Sequence, residues 1–236
     1  MELPVLGWET VSAFLTLTLM EIILGIDNII FIAIVVAKLP KQSQARIRTL
    51  GLAAALLLRI GLLFTITWIM GLTEPFLSVG EMHFSGRDLI LIAGGLFLLV
   101  KSTQELHEKV VQLDKHKKQA SIKVNRKWVI LQIIILDLVF SFDSVLTAVG
   151  MANNVVIMVA AMLIAVGMML VAAGKVSSFV EKHPTVKVLA LAFLLLIGVM
   201  LIMEGMGQHV PKGYVYFAVF FALGVEMINL RVRKIG

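Results

Sequence analysis

Seven stretches of about 20 apolar residues leave this chain little choice of fold. A helix needs about 20 such residues to cross the hydrocarbon core of a bilayer, and windows at roughly 11–37, 49–72, 88–106, 128–151, 154–174, 186–205 and 213–230 meet that need. Hydrophobic residues make up 59% of the sequence, against about 45–50% in soluble domains. The expectation is an all-α, multi-pass membrane protein. Trp8, Trp68, Trp128, Tyr214 and Tyr216 fall near window ends, where amphipathic rings favour the interface. The first run is too long for a cleaved signal peptide and contains two acids, so it is expected to stay as a span. With no cysteine, disulfide frames, thiolate metal sites and cysteine nucleophiles are excluded.

The basic residues sort by side. The loops after windows 1, 3 and 5, with the C-terminal tail, hold 18 of the 21 Lys and Arg; Arg87 and Lys212 lie on the other side, and Arg59 lies within window 2. Because Lys and Arg concentrate on the cytoplasmic face, this places the N-terminus outside and the C-terminus inside, and demands an odd number of spans. The net charge of +6 therefore reports topology, and it calls for no nucleic-acid partner.

Two acidic motifs interrupt the apolar windows. The first is Glu21-Ile-Ile-Leu-Gly-Ile-Asp27-Asn28; the second is Asp137-Leu-Val-Phe-Ser-Phe-Asp143-Ser144. Each is an acid, five residues, an aspartate, then a small amide or hydroxyl. A charge at the bilayer centre costs at least about 2.5–3.5 kcal/mol on insertion scales, so such residues normally line a polar pathway. The motifs are 116 residues apart, which divides the single transmembrane domain, residues 1–236, into two repeats. Repeat 1 covers about 11–106 and repeat 2 about 128–205, joined by a basic cytoplasmic linker at 107–127 and followed by an extra helix at 213–230. Three spans per repeat invert the second repeat relative to the first, a plan shared by secondary transporters whose substrate site lies near the midplane.

Helical phase refines this picture. Seven residues turn a helix through about 700°, so Glu21 shares a face with Asn28 and Asp137 with Ser144, whereas six residues leave the two acids of a motif about 120° apart. A regular helix with a broad polar face, or a break at Gly25 and Ser141 that exposes carbonyls, would both serve. The donors Glu21, Asp27, Asn28, Asp137, Asp143 and Ser144 are all oxygen, the chemistry of hard divalent cations such as Mg²⁺, Ca²⁺ and Mn²⁺. All five His (His83, His107, His116, His183, His209) lie in loops or at window ends, and the 13 Met read as apolar filling. Arg59 is the lone basic residue inside a window; it is expected to neutralise an acid or to close a gate. Asp88 suits a helix start, while Lys101 and Glu204, placed alike after Gly95 and Gly198, read as interfacial anchors. Glu226 and Asn229 read as a second polar patch or as helix-packing contacts. A divalent ion cannot neutralise four carboxylates, so a site without metal would hold protons that an arriving cation expels.

These residues resemble the TerC family of bacterial membrane proteins. The matching pieces are EIILGIDN at Glu21–Asn28, DLVFSFDS at Asp137–Ser144 with VLTAVG following, Gly86-Arg87-Asp88, GGLFL at Gly94–Leu98, and HVPKGYVY at His209–Tyr216. The resemblance covers nearly the whole chain and is greatest to the short branch without CBS domains. It implies seven spans of a LysE-like fold in the bacterial inner membrane and export of Mn²⁺ as substrate, with no resident cofactor and with coupling to proton entry. Glu21, Asp27, Asn28, Asp137, Asp143 and Ser144 would form the metal path. Tellurite, an oxyanion, fits poorly, since Arg59 is the lone cationic ligand on offer. Ca²⁺ transport, an intramembrane aspartyl hydrolase built on Asp27 and Asp143, and an assembly partner in the membrane are the competing readings. The expected partners are the bilayer, a divalent ion and protons; a homo-oligomer is compatible with all of these.

Overall fold

The computed structural model describes residues 7–65, 73, 75–79, 82–114, 125–151, 155–208 and 210–232. Within them, the side chains of residues 9, 27, 76, 78, 79, 82, 110–114, 143, 146–151 and 212 are outside the described set. Among the described residues there are seven helices: α1 (Trp8–Val36), α2 (Lys41–Phe64), α3 (Gly86–Asp114), α4 (Arg126–Met151), α5 (Val155–Lys182), α6 (Pro184–Gly205) and α7 (Lys212–Val232). Among the described residues, six of them are long and apolar enough to cross a membrane. A short antiparallel hairpin, β1 (Pro75–Val79) and β2 (Met82–Ser85), precedes α3; the sequence reading had this stretch as loop.

Helix ends follow local chemistry. Pro40 has no N–H to continue α1 and becomes the N-cap of α2. Gln44 donates its amide to the Leu39 carbonyl at 3.0 Å and to that of Ala37 at 3.4 Å, satisfying carbonyls left over as α1 ends. Ser85 and Asp88 form a capping box on α3. The Asp88 carboxylate accepts from the Ser85 N–H and hydroxyl at 2.8 and 2.7 Å, and the Asp88 N–H donates to Ser85 Oγ at 3.2 Å. This bears out the placement of Asp88 at a helix start. Helix α6 stops in a Schellman turn in which Gln208 N–H bonds Met203 O at 2.8 Å and Gly207 N–H bonds Glu204 O at 3.0 Å. Gly207, at φ 79°, adopts the left-handed conformation that this turn requires.

The structure decides one open choice and moves two helix ends. Helix α1 runs unbroken through Gly25 and α4 unbroken through Ser141. Gly25 serves close approach instead: a Cβ there would strike the Met169 sulfur of α5. Helix α3 continues to Asp114, past the window end at 106. Finally, α2 ends at Phe64 rather than 72; residues 66–72, Trp68 included, lie outside the described residues.

The chain forms two compact units. The first comprises α1, α2, α4 and α5 as far as Ser178. Here Gly51 lets α2 approach α4, since a Cβ would sit 2.8 Å from Ile133 Cδ1. The second comprises the hairpin, α3, α6 and α7. In it α3 and α6 run antiparallel and make the most extensive helix packing. A Cβ on Gly95 would lie 2.6 Å from the Gly198 carbonyl, and one on Gly205 2.6 Å from the Asp88 carbonyl. Small residues at such crossings let backbones touch where lipid removes any hydrophobic drive for association.

Candidate functional site

Inside the first unit, both motifs meet. Glu21 and Asn28 on α1 are buried on one face, as are Asp137, Ser141 and Ser144 on α4, which is what a seven-residue spacing on regular helices dictates. Arg59 comes from α2 and is only 2% exposed. Its guanidinium is divided between the motifs. Nε lies 3.2 Å from both oxygens of Asp137, Nη2 lies 2.7 Å from Asp137 Oδ1, and Nη1 lies 2.5 Å from Glu21 Oε2. The planar fork of arginine is suited to this double grip.

Neutral groups complete the cluster. Asn28 Nδ2 donates to Asp137 Oδ1 at 3.1 Å, and the Ser141 hydroxyl donates to Asp137 Oδ2 at 2.9 Å. The Ser144 hydroxyl donates to the Ser141 carbonyl at 3.3 Å. The first motif's terminal amide thus attends the second motif's leading acid. Asn28 Oδ1 is buried without a hydrogen-bond partner among the described residues; an acceptor in that condition is costly unless something donates to it or coordinates it.

Buried apolar residues flank the cluster. Leu17, Leu63, Val145, Met158, Ala161 and Met162 form a buried apolar layer a turn or less beyond Glu21, Arg59 and Ser144. Along the same helices in the other direction, Phe31, Val35, Leu52, Ile133 and Leu136 are buried as well. The outer surface is apolar instead: Leu57, Phe64 and Val171 are 71, 71 and 76% exposed. Charge inside and hydrocarbon outside is the arrangement of a protein solvated by lipid, not by water.

Of the sequence-derived candidates, the structure brings together Glu21, Asn28, Asp137, Ser144 and Arg59. The side chains of Asp27 and Asp143 lie outside the described residues; their backbones sit in α1 and α4 next to Asn28 and Ser144. Among the described residues, no three His, Asp or Glu side chains gather as a metal cage. Ser141 was missed as a participant, although its position four residues after Asp137 is the signal that would have found it. Glu204 is more than an interfacial anchor: it accepts from Arg87 at 2.8 Å, tying the start of α3 to the end of α6. Glu226 accepts from Thr185 and joins α7 to α6, the packing role. Met158, Met162 and Met169 are buried core. His183 sits between α5 and α6 with Nδ1 2.8 Å from the Phe179 carbonyl, while His116 and His209 lie outside the described residues.

The decisive comparison is with known families. Residues 6–235 match the integral membrane protein TerC family. The chain belongs to the TerC family. It is 51% identical over 227 residues to a UPF0053 protein of Haemophilus influenzae, covering 96% of each chain. It is 50% identical over 220 residues to the UPF0053 inner membrane protein YgdQ of Escherichia coli, covering 93% of this chain and 92% of that one. The UPF0053 inner membrane protein YoaE of Escherichia coli is 48% identical over 223 residues, but there the match spans only 43% of the relative. No solved structure matches. With its long apolar helices and these relatives, the chain is a multi-pass inner-membrane protein.

Proposed function

We propose that this TerC-family protein is a secondary transporter that exports Mn²⁺ from the cytoplasm, with protons entering in exchange. The observation that carries this reading is the meeting of Glu21 and Asp137, the leading acids of two matched motifs, in one buried polar cluster. Seven spans in two inverted repeats plus α7 are part of the same proposal, because such repeats present matched groups to a single site from opposite directions.

Each step rests on ligand chemistry. An exported cation must exchange its hydration shell for protein oxygens. Asp27 and Asp143 are the principal ligands in this reading. Glu21 and Asp137 act as ligands or proton carriers, and Asn28 and Ser144 add neutral oxygens. The apolar layers on either side of the cluster suit a site that opens alternately. Oxygen ligands alone separate Mn²⁺ from Ca²⁺ weakly, and the choice of Mn²⁺ rests on the family. A structural partner role loses its rationale here, since Glu21 and Asp137 already have a cation within the same chain. An enzyme built on Asp27 and Asp143 would leave the Glu21–Arg59–Asp137 assembly without a task.

The test is Mn²⁺ flux in proteoliposomes with an imposed pH gradient, wild type beside Asp27→Asn and Asp143→Asn, with Ca²⁺ as competitor. The expected result is wild-type flux with opposed proton movement, reduced at least about 100-fold in either variant, equivalent to ~2.7 kcal/mol. Folded wild type without Mn²⁺ flux would overturn the reading, and flux blind to the pH gradient would remove its proton coupling.

A further inference from the structure

We infer that Arg59 is a tethered competitor of the transported cation, holding the acids of the empty site and restricting it to divalent ions. This inference rests on the transport reading above. Its starting point is that Asp137 has little capacity to spare. Oδ1 receives Arg59 Nη2 and Asn28 Nδ2, Oδ2 receives the Ser141 hydroxyl, and the single Nε–H of Arg59 is shared between the two oxygens. A carboxylate oxygen has about two lone pairs, so Oδ1 has none left for a metal, and the shared Nε–H covers what Oδ2 has left, while the guanidinium remains. Glu21 Oε2 is engaged by Nη1. At these oxygens the arrangement is exclusive: Arg59 or a metal ion, not both, occupies them.

Charge then sets which ions can win. Arg59 brings one positive charge with donors already aligned on both acids. A monovalent ion brings the same charge, and it must shed water to reach a place that Arg59 occupies at no such cost. A divalent ion brings twice the charge and repays the displacement. Position supports a moving part: Arg59 lies five residues before the end of α2, on a long side chain that reaches the cluster beside the buried residue Leu63. Withdrawal of the guanidinium would free Asp137 Oδ1 on the side of Asn28, whose own Oδ1 already lacks a partner. Lysine would not serve as well. An ammonium is a point charge without the fork that engages Asp137 and Glu21 together.

The experiment is equilibrium Mn²⁺ binding to the full-length protein in nanodiscs, with and without 100 mM Na⁺ at constant ionic strength, for wild type, Arg59→Gln and Arg59→Lys. Folding is checked by size exclusion and circular dichroism. Arg59→Gln is expected to bind Mn²⁺ about tenfold more tightly, ~1.4 kcal/mol, with Arg59→Lys between it and wild type. Na⁺ is expected to compete in Arg59→Gln and not in wild type. A merely structural arginine would give weaker binding and no new sensitivity to Na⁺. If Arg59→Gln fails to fold, Arg59→Lys alone decides. Variants that bind no tighter than wild type and remain indifferent to Na⁺ overturn this inference and leave the transport reading standing. A folded wild type that binds no Mn²⁺ sinks both.

Discussion

Asp137 is the most heavily bonded side chain in the first unit, and its dependence on neighbours can be measured one group at a time. The Ser141 hydroxyl, fully buried, gives it a hydrogen bond at 2.9 Å. Hydrogen bonds to charged groups contribute about 1.5–3 kcal/mol. Ser141→Ala should therefore lower the midpoint of thermal unfolding in detergent. The expected loss is about 1.5–3 kcal/mol with the helix content of the native state unchanged; no measurable loss would mean that the contact is incidental. Much at this scale was legible beforehand. A lone arginine in an apolar window needs an acid, and two acids followed seven residues later by an amide or hydroxyl define a face. Ser141 was missed although its spacing of four from Asp137 pointed to it, because the same residue also reads as a place where a helix loosens.

At the scale of the helix, glycines carry the ambiguity. Gly25 suggests a break when read alone, yet it accommodates Met169; the missing Cβ that permits bending also permits contact, and only the partner decides. Gly95 and Gly198 are a clearer case, each aimed at the other's carbonyl across α3 and α6. Gly95→Leu should force these helices apart, at a cost of at least about 1–3 kcal/mol for overpacking. Gly61, with nothing within 4 Å of a Cβ, is the control: Gly61→Ala should be neutral or stabilising by up to about 1 kcal/mol, the helix propensity difference. Comparable unfolding midpoints for Gly95→Leu and Gly61→Ala would show that the α3–α6 crossing tolerates separation. The Arg87–Glu204 pair at the same interface escaped the sequence reading because 117 residues separate its members, and no periodicity links them.

At the scale of the whole molecule, the charge asymmetry and the helices make a joint demand. Helix α4 carries the second motif, and at 26 residues it is long enough to cross a membrane. If α4 does not cross, every later element changes side. Lys175, Lys182 and Lys187, with the basic tail, would then leave the cytoplasm, against the retention of Lys and Arg there. If α4 does cross, Gln42 at the start of α2 and Gln208 between α6 and α7 lie on opposite sides of the membrane. The chain has no cysteine, so single thiols can be introduced without a background. Both glutamines are exposed. A membrane-impermeant maleimide should label Gln208→Cys in intact spheroplasts and Gln42→Cys only after permeabilisation. Equal labelling of the two would place them on one face. It would mean an even number of crossings between them, would remove the inverted repeat, and would leave Glu21 and Asp137 paired by Arg59 for a reason other than alternating access.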